Sequence, residues 1–216
     1  MTSSWQLYVI IDRTASGSRD LAELTMAAIR GGADVIQLRD KSASSAQLIR
    51  EAKRLLPVTR AARIPLIIND RVEVVDAVGA DGVHLGQDDG PIEEARRLLG
   101  STRLIGKSTH SFEQALAAER EGADYIGFGP IFPTPTKPEY ASIGTSLIQE
   151  VLMRVKVPVV CIGGIDPTVL RSVLAAGATC VAVVRAVCSA DDPERAARRL
   201  KQTLTQFVRA PVSPSL

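Results

Sequence analysis

Short runs of branched apolar residues alternate with longer amphipathic stretches along the whole chain, and this alternation constrains the fold more than any other feature. The short runs predict eight strands, at 7–12, 35–40, 65–70, 82–87, 104–109, 125–130, 158–164 and 180–187. The amphipathic stretches predict helices at 19–30, 44–61, 72–78, 92–99, 112–121, 145–155, 167–176 and 193–208. Strict alternation is typical of a parallel sheet, and eight units close the common α/β barrel. The sequence therefore predicts a single (β/α)₈ TIM barrel over residues 1–209 and a frayed tail at 210–216.

A four-residue pattern recurs before every second predicted strand. The strings are GGAD (31–34), GADG (79–82), GADY (122–125) and GATC (177–180). Glycine supplies the left-handed turn that ends a helix, and the small residue after it lets the chain enter the next strand. We interpret the repeat as structural support for the barrel, with no role in chemistry.

Composition limits the classes of partner. The chain has 216 residues, which suits one barrel of about 200 residues or more. The net charge is only +2, so bulk attraction to nucleic acid or membrane is not expected. The three cysteines, Cys161, Cys180 and Cys188, are too few for a disulfide framework and look like small apolar core residues. We expect a cytoplasmic protein without signal peptide or membrane span; a local basic pocket for a small phosphorylated substrate and a homo-oligomer are left open.

Polar residues gather at the carboxyl ends of the predicted strands, where the active sites of such barrels lie. The second strand carries Gln37, Arg39 and Lys41, which point the same way because side chains alternate along a strand. Charges without partners are too costly to bury against the helices, so this row is predicted to line the barrel mouth. The alternative is an arginine–glutamate network inside the barrel, but no glutamate stands at a strand end.

Two aspartates suggest a metal site on the same rim. Asp70 ends the third predicted strand, and Asp89 follows the end of the fourth. Adjacent strands lie about 4.8 Å apart, so the two carboxylates could share one ion. Mg²⁺ typically takes one or two protein carboxylates and completes its shell with water and phosphates. The alternative is that Asp70, and one of Asp88 and Asp89, cap the helices that follow them.

A second anion site is predicted near the end of the chain. Gly163 and Gly164 follow the seventh strand and Arg185 lies near the end of the eighth, where barrels often hold a phosphate. The segment 131–142 after the sixth strand is a long loop, of the kind that is usually functional. It carries Thr134, Thr136 and Lys137. A diphosphate at the basic site and a monophosphate at the glycine-rich site would match this rim.

The two histidines give weaker evidence for a functional role than the residues above. His84, inside the fourth predicted strand, is interpreted as a hydrogen-bonded core residue. His110 follows the fifth strand, and whether it reaches a substrate is left open. No Ser-His-Asp or Cys-His arrangement is found.

Seven segments resemble the thiamine-phosphate synthase family in that family's order. They are QLRDK (37–41), IINDR (67–71), DGVHLGQDD (81–89), IGKSTH (105–110), GADYIGFGPIFPTPTK (122–137), CIGGI (161–165) and VAVVRAV (181–187). The combination of QLRxK, NDR, HLGQxD and GPxFPTxTK is highly specific, whereas CIGGI alone is not. The likeness extends over nearly the whole chain.

The resemblance implies a transferase of thiamine biosynthesis that joins hydroxymethylpyrimidine diphosphate to a thiazole phosphate, releasing pyrophosphate. It implies that the pyrimidine diphosphate is bound by Gln37, Arg39, Lys41, Asn69, Ser108 and Lys137, of which Arg39, Lys41 and Lys137 are catalytic. The thiazole phosphate would be bound by Thr134, Thr136, Gly164, Val184 and Arg185. Asp70 and Asp89 would ligate Mg²⁺, the expected cofactor.

One residue differs from the family's usual pattern, and there are two alternative functions. The family often has serine where this chain has Arg185, which could bind the phosphate or point outward. The first rival is the sister thiazole tautomerase, in which a histidine at the place of His110 carries the proton. The diphosphate clamp and the metal ligands argue against it. The second is a non-catalytic sensor of thiazole phosphate, for which no partner surface is evident.

Overall fold

The computed structural model describes residues 4–135 and 141–209, and its centre is a closed barrel of eight parallel strands. Each strand pairs with its neighbours in sequence, and β8 pairs with β1. The strands are β1 (Leu7–Asp12), β2 (Val35–Arg39), β3 (Leu66–Asn69), β4 (Gly82–Leu85), β5 (Leu104–Thr109), β6 (Tyr125–Phe128), β7 (Val159–Ile162) and β8 (Val181–Val183). The predicted barrel is therefore confirmed.

Helices surround the barrel and connect its strands. They are α1 (Arg13–Ser16), α2 (Leu21–Arg30), α3 (Ser45–Ala62), α4 (Val72–Val78), α5 (Ile92–Leu99), α6 (Phe112–Arg120), α7 (Ile148–Arg154), α8 (Leu170–Ala175), α9 (Arg185–Cys188) and α10 (Pro193–Arg209). In the described part of the chain, none of them is long and apolar enough to cross a bilayer. The predicted tail at 210–216 lies outside the described residues.

The last two strands are shorter than predicted. β7 ends at Ile162 because Gly163 and Gly164 turn into positive φ, at 98° and 64°. β8 ends at Val183, and the predicted strand residues 184–187 belong instead to a turn and to α9. Val184 and Arg185 are thus the N-cap and the first residue of a one-turn helix. α1 was not predicted, because one turn is too short to show a helical period.

The recurring GAD strings end helices, as predicted, and their aspartates also fasten the bottom of the barrel. In three pairs of neighbouring strands, the aspartate before the second strand accepts a backbone N–H at the start of the first. Asp34 accepts from Leu7, Asp81 from Leu66 and Asp124 from Ile105, at 2.7 to 2.8 Å. The fourth string has Thr179 at this position, so the fastening links β1 to β2, β3 to β4 and β5 to β6.

Two apolar clusters hold the molecule together. The larger one lies between the sheet and the helices and contains the outward side chains of every strand. The smaller one fills the lower barrel, where Trp5, Tyr8 and Tyr125 meet edge to face or tilted, at centroid distances of 5.4 to 6.1 Å. All three cysteines are free and buried, as expected for apolar core residues.

Glycines on β5 and β6 make room for the rings inside the barrel. A Cβ added to Gly106 would lie 2.2 Å from Cζ of Tyr125 and 2.6 Å from Nδ1 of His84. At Gly127 the nearest atom would be Cε1 of His84, at 3.2 Å. Gly106 therefore allows both rings to sit where the barrel would otherwise be filled.

We expect Gly106→Ala to lower the free energy of unfolding by about 1–3 kcal/mol, the usual cost of overpacking a core. Gly127→Ala is the matched control, because it adds the same methyl group to the neighbouring strand with less conflict. Urea denaturation of the two variants would measure the difference. Equal losses would show that the contact with Tyr125 does not restrict position 106.

Candidate active site

A cavity of about 290 Å³ opens at the carboxyl ends of the strands, where the polar residues were predicted to gather. Its floor consists of inward strand residues such as Tyr8, Ile10 and Val160. Its wall includes these predicted site residues: Gln37, Arg39, Asn69, Ser108, Thr134, Gly164, Val184 and Arg185. Arg39 of the first predicted anion site and Gly163, Gly164 and Arg185 of the second thus line one cavity.

Arg39, at the end of β2, lines the cavity and also forms an ion pair with Asp12, at the end of β1. The two residues are register partners on adjacent strands. Both are largely buried, with 12% and 4% of their side chains exposed, so this pair holds the guanidinium in place. The alternative was an arginine–glutamate network inside the barrel, whereas the partner of Arg39 is an aspartate at the end of the neighbouring strand.

Lys41, Asp70 and Asp89 come together beside the cavity. Nζ of Lys41 lies 2.9 Å from Oδ2 of Asp70, and the carboxyl groups of Asp70 and Asp89 are close enough to shift each other's pKa. The capping alternative is wrong for both aspartates. The N-caps of α4 and α5 are Arg71 and Pro91, and neither helix has a side-chain cap.

The contact between these carboxyl groups shifts their titration in opposite directions. Burial and the neighbouring carboxyl of Asp89 raise the pKa of Asp70. Burial also acts to raise the pKa of Asp89, but hydrogen bonds from Asp70 and from the Gly86 N–H lower it overall. Two carboxyl groups this close share a proton unless a cation joins them.

Lys107 supplies a further positive charge, which the sequence analysis missed. Its side chain is buried, and Nζ donates to the carbonyls of Gly86 and Gly90 at 2.8 and 3.3 Å. It thereby holds the β4–α5 loop that carries Asp89, and its charge helps to lower the pKa of that carboxyl. A lysine in the middle of a strand on its helix-facing side is the signal that could have revealed it, because such a charge requires partners.

The donor set around Asp70 and Asp89 fits a hard divalent cation. Two carboxylates on neighbouring strand ends provide oxygen ligands, and the remaining positions stay available for water and phosphate. Among residues 4–135 and 141–209, no cluster of three or more histidine, cysteine, aspartate and glutamate side chains could hold a metal. A Zn²⁺ site of the structural kind is thus not formed there.

Close packing leaves no room for a side chain at Gly163 or Gly164. A Cβ on Gly163 would lie 2.5 Å from Pro130, and one on Gly164 would lie 2.7 Å from both Phe132 and the Pro133 carbonyl. The β7 turn therefore packs directly against the loop after β6. Both glycines also have positive φ. The backbone conformation and the close contact therefore each favour glycine here, independently of any bound anion.

The first turn of α9 faces the same cavity. Val184, Arg185 and Ala186 line it, and the first N–H groups of a helix have no acceptor within the helix. Arg185 is exposed at the rim. Of the predicted residues in the loop after β6, Thr134 lines the cavity, whereas Thr136 and Lys137 lie outside the described residues.

Both histidines line the cavity. Nδ1 of His84 lies 3.2 Å from the Tyr125 hydroxyl, and Nε2 lies 2.9 Å from Oγ of Ser108. His84 is hydrogen-bonded as predicted, but it is half-buried at the cavity wall instead of belonging to the core. His110 is hydrogen-bonded through Nδ1 to the Gly129 carbonyl, and its position in the wall fits the alternative that it reaches a ligand.

Comparison with known proteins identifies the family. The family model of thiamine monophosphate synthase matches residues 7–187. A thiamine-phosphate synthase from Chloroflexus aurantiacus is 50% identical over 91% of each chain. One from Natronomonas pharaonis is 44% identical over 93% of this chain and 95% of its own.

Solved structures agree with this result. The thiamine phosphate pyrophosphorylase from Pyrococcus furiosus superposes with a TM-score of 0.88 at 38% identity, covering 96% of this chain and 98% of its own. A geranylgeranylglyceryl phosphate synthase from Thermoplasma acidophilum shares the fold alone, at a TM-score of 0.69 and 15% identity over 95% of each chain. The chain therefore belongs to the thiamine monophosphate synthase family of enzymes.

Proposed function

We propose that this chain is a thiamine-phosphate synthase, a transferase that joins hydroxymethylpyrimidine diphosphate to thiazole phosphate and releases pyrophosphate. Its identity to curated synthases over nearly the whole chain carries the proposal. The cavity supports it, because one side holds Arg39 beside the Lys41–Asp70–Asp89 cluster and the other holds the glycine-rich turn and Arg185. One cavity thus offers positive or amide groups to two phosphorylated substrates.

The cofactor of the proposed reaction is Mg²⁺, held by Asp70 and Asp89. A bound Mg²⁺ would neutralise charge on the diphosphate and strengthen it as a leaving group. The support for this assignment is the proximity of the two carboxyl groups and the pKa of Asp70, which burial and the neighbouring Asp89 carboxyl raise and which a cation would lower. Lys41 and Lys107 supply part of that charge.

In the proposed mechanism, the diphosphate leaves the exocyclic carbon of the pyrimidine and the thiazole nitrogen takes its place. The amino group of the pyrimidine stabilises the positive carbon, so bond breaking precedes bond formation. Arg39, fixed by Asp12, and Lys41 stabilise the departing diphosphate, and Lys137 is assigned the same role from the sequence. The reaction needs no nucleophile and no strong base, only charge stabilisation and alignment of the substrates.

Different parts of the cavity wall would bind the pyrimidine and the thiazole phosphate. Gln37, Asn69 and Ser108 lie on β2, β3 and β5, next to the proposed diphosphate site, and would bind the pyrimidine. The thiazole phosphate would lie at Gly164, Val184, Arg185 and Thr134, with Thr136 assigned from the sequence. Whether the carboxylated thiazole is also accepted is a question for the same assay.

The thiazole tautomerase is the second candidate, because His110 lines the cavity and could carry a proton. The carboxyl pair and the cations around it favour the synthase, since a tautomerase has no diphosphate to stabilise. The sensor hypothesis predicts binding without turnover. Incubation with both substrates and Mg²⁺ separates the three, because only the synthase yields thiamine phosphate and pyrophosphate together.

We expect Asp70→Asn to lower kcat by about 100-fold or more, since removing one preorganised charge at a reacting centre costs roughly that much. Raising the Mg²⁺ concentration should restore part of the activity, and EDTA should abolish that of the unsubstituted enzyme. Asp76→Asn, an exposed change on α4, is the control and should behave as the unsubstituted enzyme. Pyrophosphate release would be measured against metal concentration. Activity that survives both EDTA and Asp70→Asn would exclude the metal-assisted synthase.

We expect Arg185→Ala to raise KM for the thiazole phosphate about tenfold, because a hydrogen bond between charged groups contributes about 1.5–3 kcal/mol. KM for the pyrimidine diphosphate should not change, because Arg185 follows β8 and Asp70 follows β3, three strands away around the barrel. Arg171→Ala, an exposed arginine on α8, is the matched control. Steady-state kinetics with each substrate varied in turn would test this. An unchanged KM for the thiazole phosphate would mean that backbone N–H groups bind the phosphate without Arg185.

A further inference from the structure

A continuous chain of hydrogen bonds crosses the floor of the cavity from β2 to β5. Nε2 of Gln37 donates to the Tyr8 hydroxyl at 2.8 Å, and the Tyr8 and Tyr125 hydroxyls lie 3.0 Å apart. The Tyr125 hydroxyl lies 3.2 Å from Nδ1 of His84, and Nε2 of His84 lies 2.9 Å from Oγ of Ser108. Five side chains from β1, β2, β4, β5 and β6 are thereby joined in one line.

The protons available on each group determine which atom donates and which accepts in each of these hydrogen bonds. Burial raises the pKa of both phenols, so each keeps its proton and needs an acceptor. The Tyr8 oxygen already accepts from Gln37, and the acceptor for its proton is the Tyr125 oxygen. The Tyr125 proton is then directed at Nδ1 of His84. That nitrogen must be unprotonated to accept it, which places the imidazole proton on Nε2.

The end of the chain is Ser108. A protonated Nε2 donates to Oγ of Ser108, so the serine uses an oxygen lone pair for this bond and keeps its own proton. Within residues 4–135 and 141–209, the recorded side-chain partner of that hydroxyl is Nε2 of His84, which is a donor in this tautomer and leaves the serine proton free for another acceptor. Ser108 lines the cavity, so its O–H can be directed towards a ligand.

We propose that Gln37, Tyr8, Tyr125 and His84 set the polarity of Ser108, so that it presents a hydrogen-bond donor to a lone pair on the substrate. Tyr125 and His84 are positioning residues in this scheme, since they act through Ser108. The recognised group is an acceptor, such as a ring nitrogen of the pyrimidine. This assignment of the substrate rests on the proposed function, whereas the polarity of the chain does not.

The polarity can be tested without any substrate. The protein has two histidines, so ¹⁵N NMR of imidazole-labelled protein gives two spin systems, which a His110→Asn variant assigns. We expect an unprotonated Nδ1 and a protonated Nε2 in His84. The opposite tautomer would overturn the proposal, because Ser108 would then donate to His84 and present an acceptor.

Gln37→Glu tests whether the direction comes from Gln37. An ionised carboxylate only accepts, so Tyr8 should donate to it, Tyr125 to Tyr8, and His84 to Tyr125. The proton of His84 should then move from Nε2 to Nδ1, three hydrogen bonds away from the substitution. Gln47→Glu makes the same chemical change at an exposed residue of α3 and is the control. A tautomer that stays the same in Gln37→Glu at alkaline pH would show that the chain does not transmit polarity.

Kinetics then test the link to the substrate. We expect Tyr125→Phe to raise KM for the pyrimidine diphosphate about tenfold and to leave KM for the thiazole phosphate unchanged. Trp5→Phe alters the packing of the same cluster without removing a member of the chain, so it should show no such selective change. His84→Gln, which can still offer an N–H to Ser108, should retain more affinity for the pyrimidine than His84→Leu.

The two proposals can fail separately. If the NMR experiments give the expected tautomers but no thiamine phosphate is formed, the proposed function fails and the polarity of the chain stands. If thiamine phosphate is formed but Tyr125→Phe changes both KM values equally, the positioning role is overturned and the synthase stands. A deaza analogue of the pyrimidine that loses affinity in the unsubstituted enzyme but not in Ser108→Ala would identify the accepting nitrogen.

Discussion

Pairing of β8 with β1 closes the sheet, and the position of every functional group depends on this closure. In a closed parallel barrel, the carboxyl ends of all strands meet at one rim, so residues far apart in the chain become neighbours. Arg39 and Arg185 are separated by most of the sequence, yet they line one cavity. An open sheet would place β1 and β8 at opposite edges and would divide the cavity between them.

Closure of the barrel concentrates negative charge at the rim, and nearby cations partly compensate it. Asp12, Asp70 and Asp89 bring negative charge to the same place, and each lies beside a cation, either Arg39 or one of Lys41 and Lys107. The phosphorylated substrates of the proposed reaction would add further negative charge. A charge balance that is only partly satisfied by the protein favours the binding of a cation and an anion together, as the proposed reaction requires.

Periodicity and the position of polar residues at strand ends predicted the barrel, the place of the cavity and several of its polar lining residues from the sequence. Asp70 and Asp89 could be paired because they follow neighbouring strands. Single-turn helices such as α9 could not be predicted, since four residues carry no period. Tyr8 and Tyr125 were missed for another reason, because a sequence does not reveal which partner a buried hydroxyl finds. Asp12 was missed because its arginine was expected to need a glutamate.

The aspartates of the GAD strings have a consequence for the modular construction of the barrel. Each ties one strand to its predecessor at the end of the barrel remote from the cavity, so the chain is divided into units β1–β2, β3–β4 and β5–β6. A chain break within α3 or α5 falls between units and leaves every fastening intact. A break within α2, α4 or α6 separates an aspartate from the strand it secures. New termini or inserted domains should therefore be tolerated better in α3 and α5 than in α2, α4 and α6, so the eight-unit barrel should behave in this respect as a set of strand pairs.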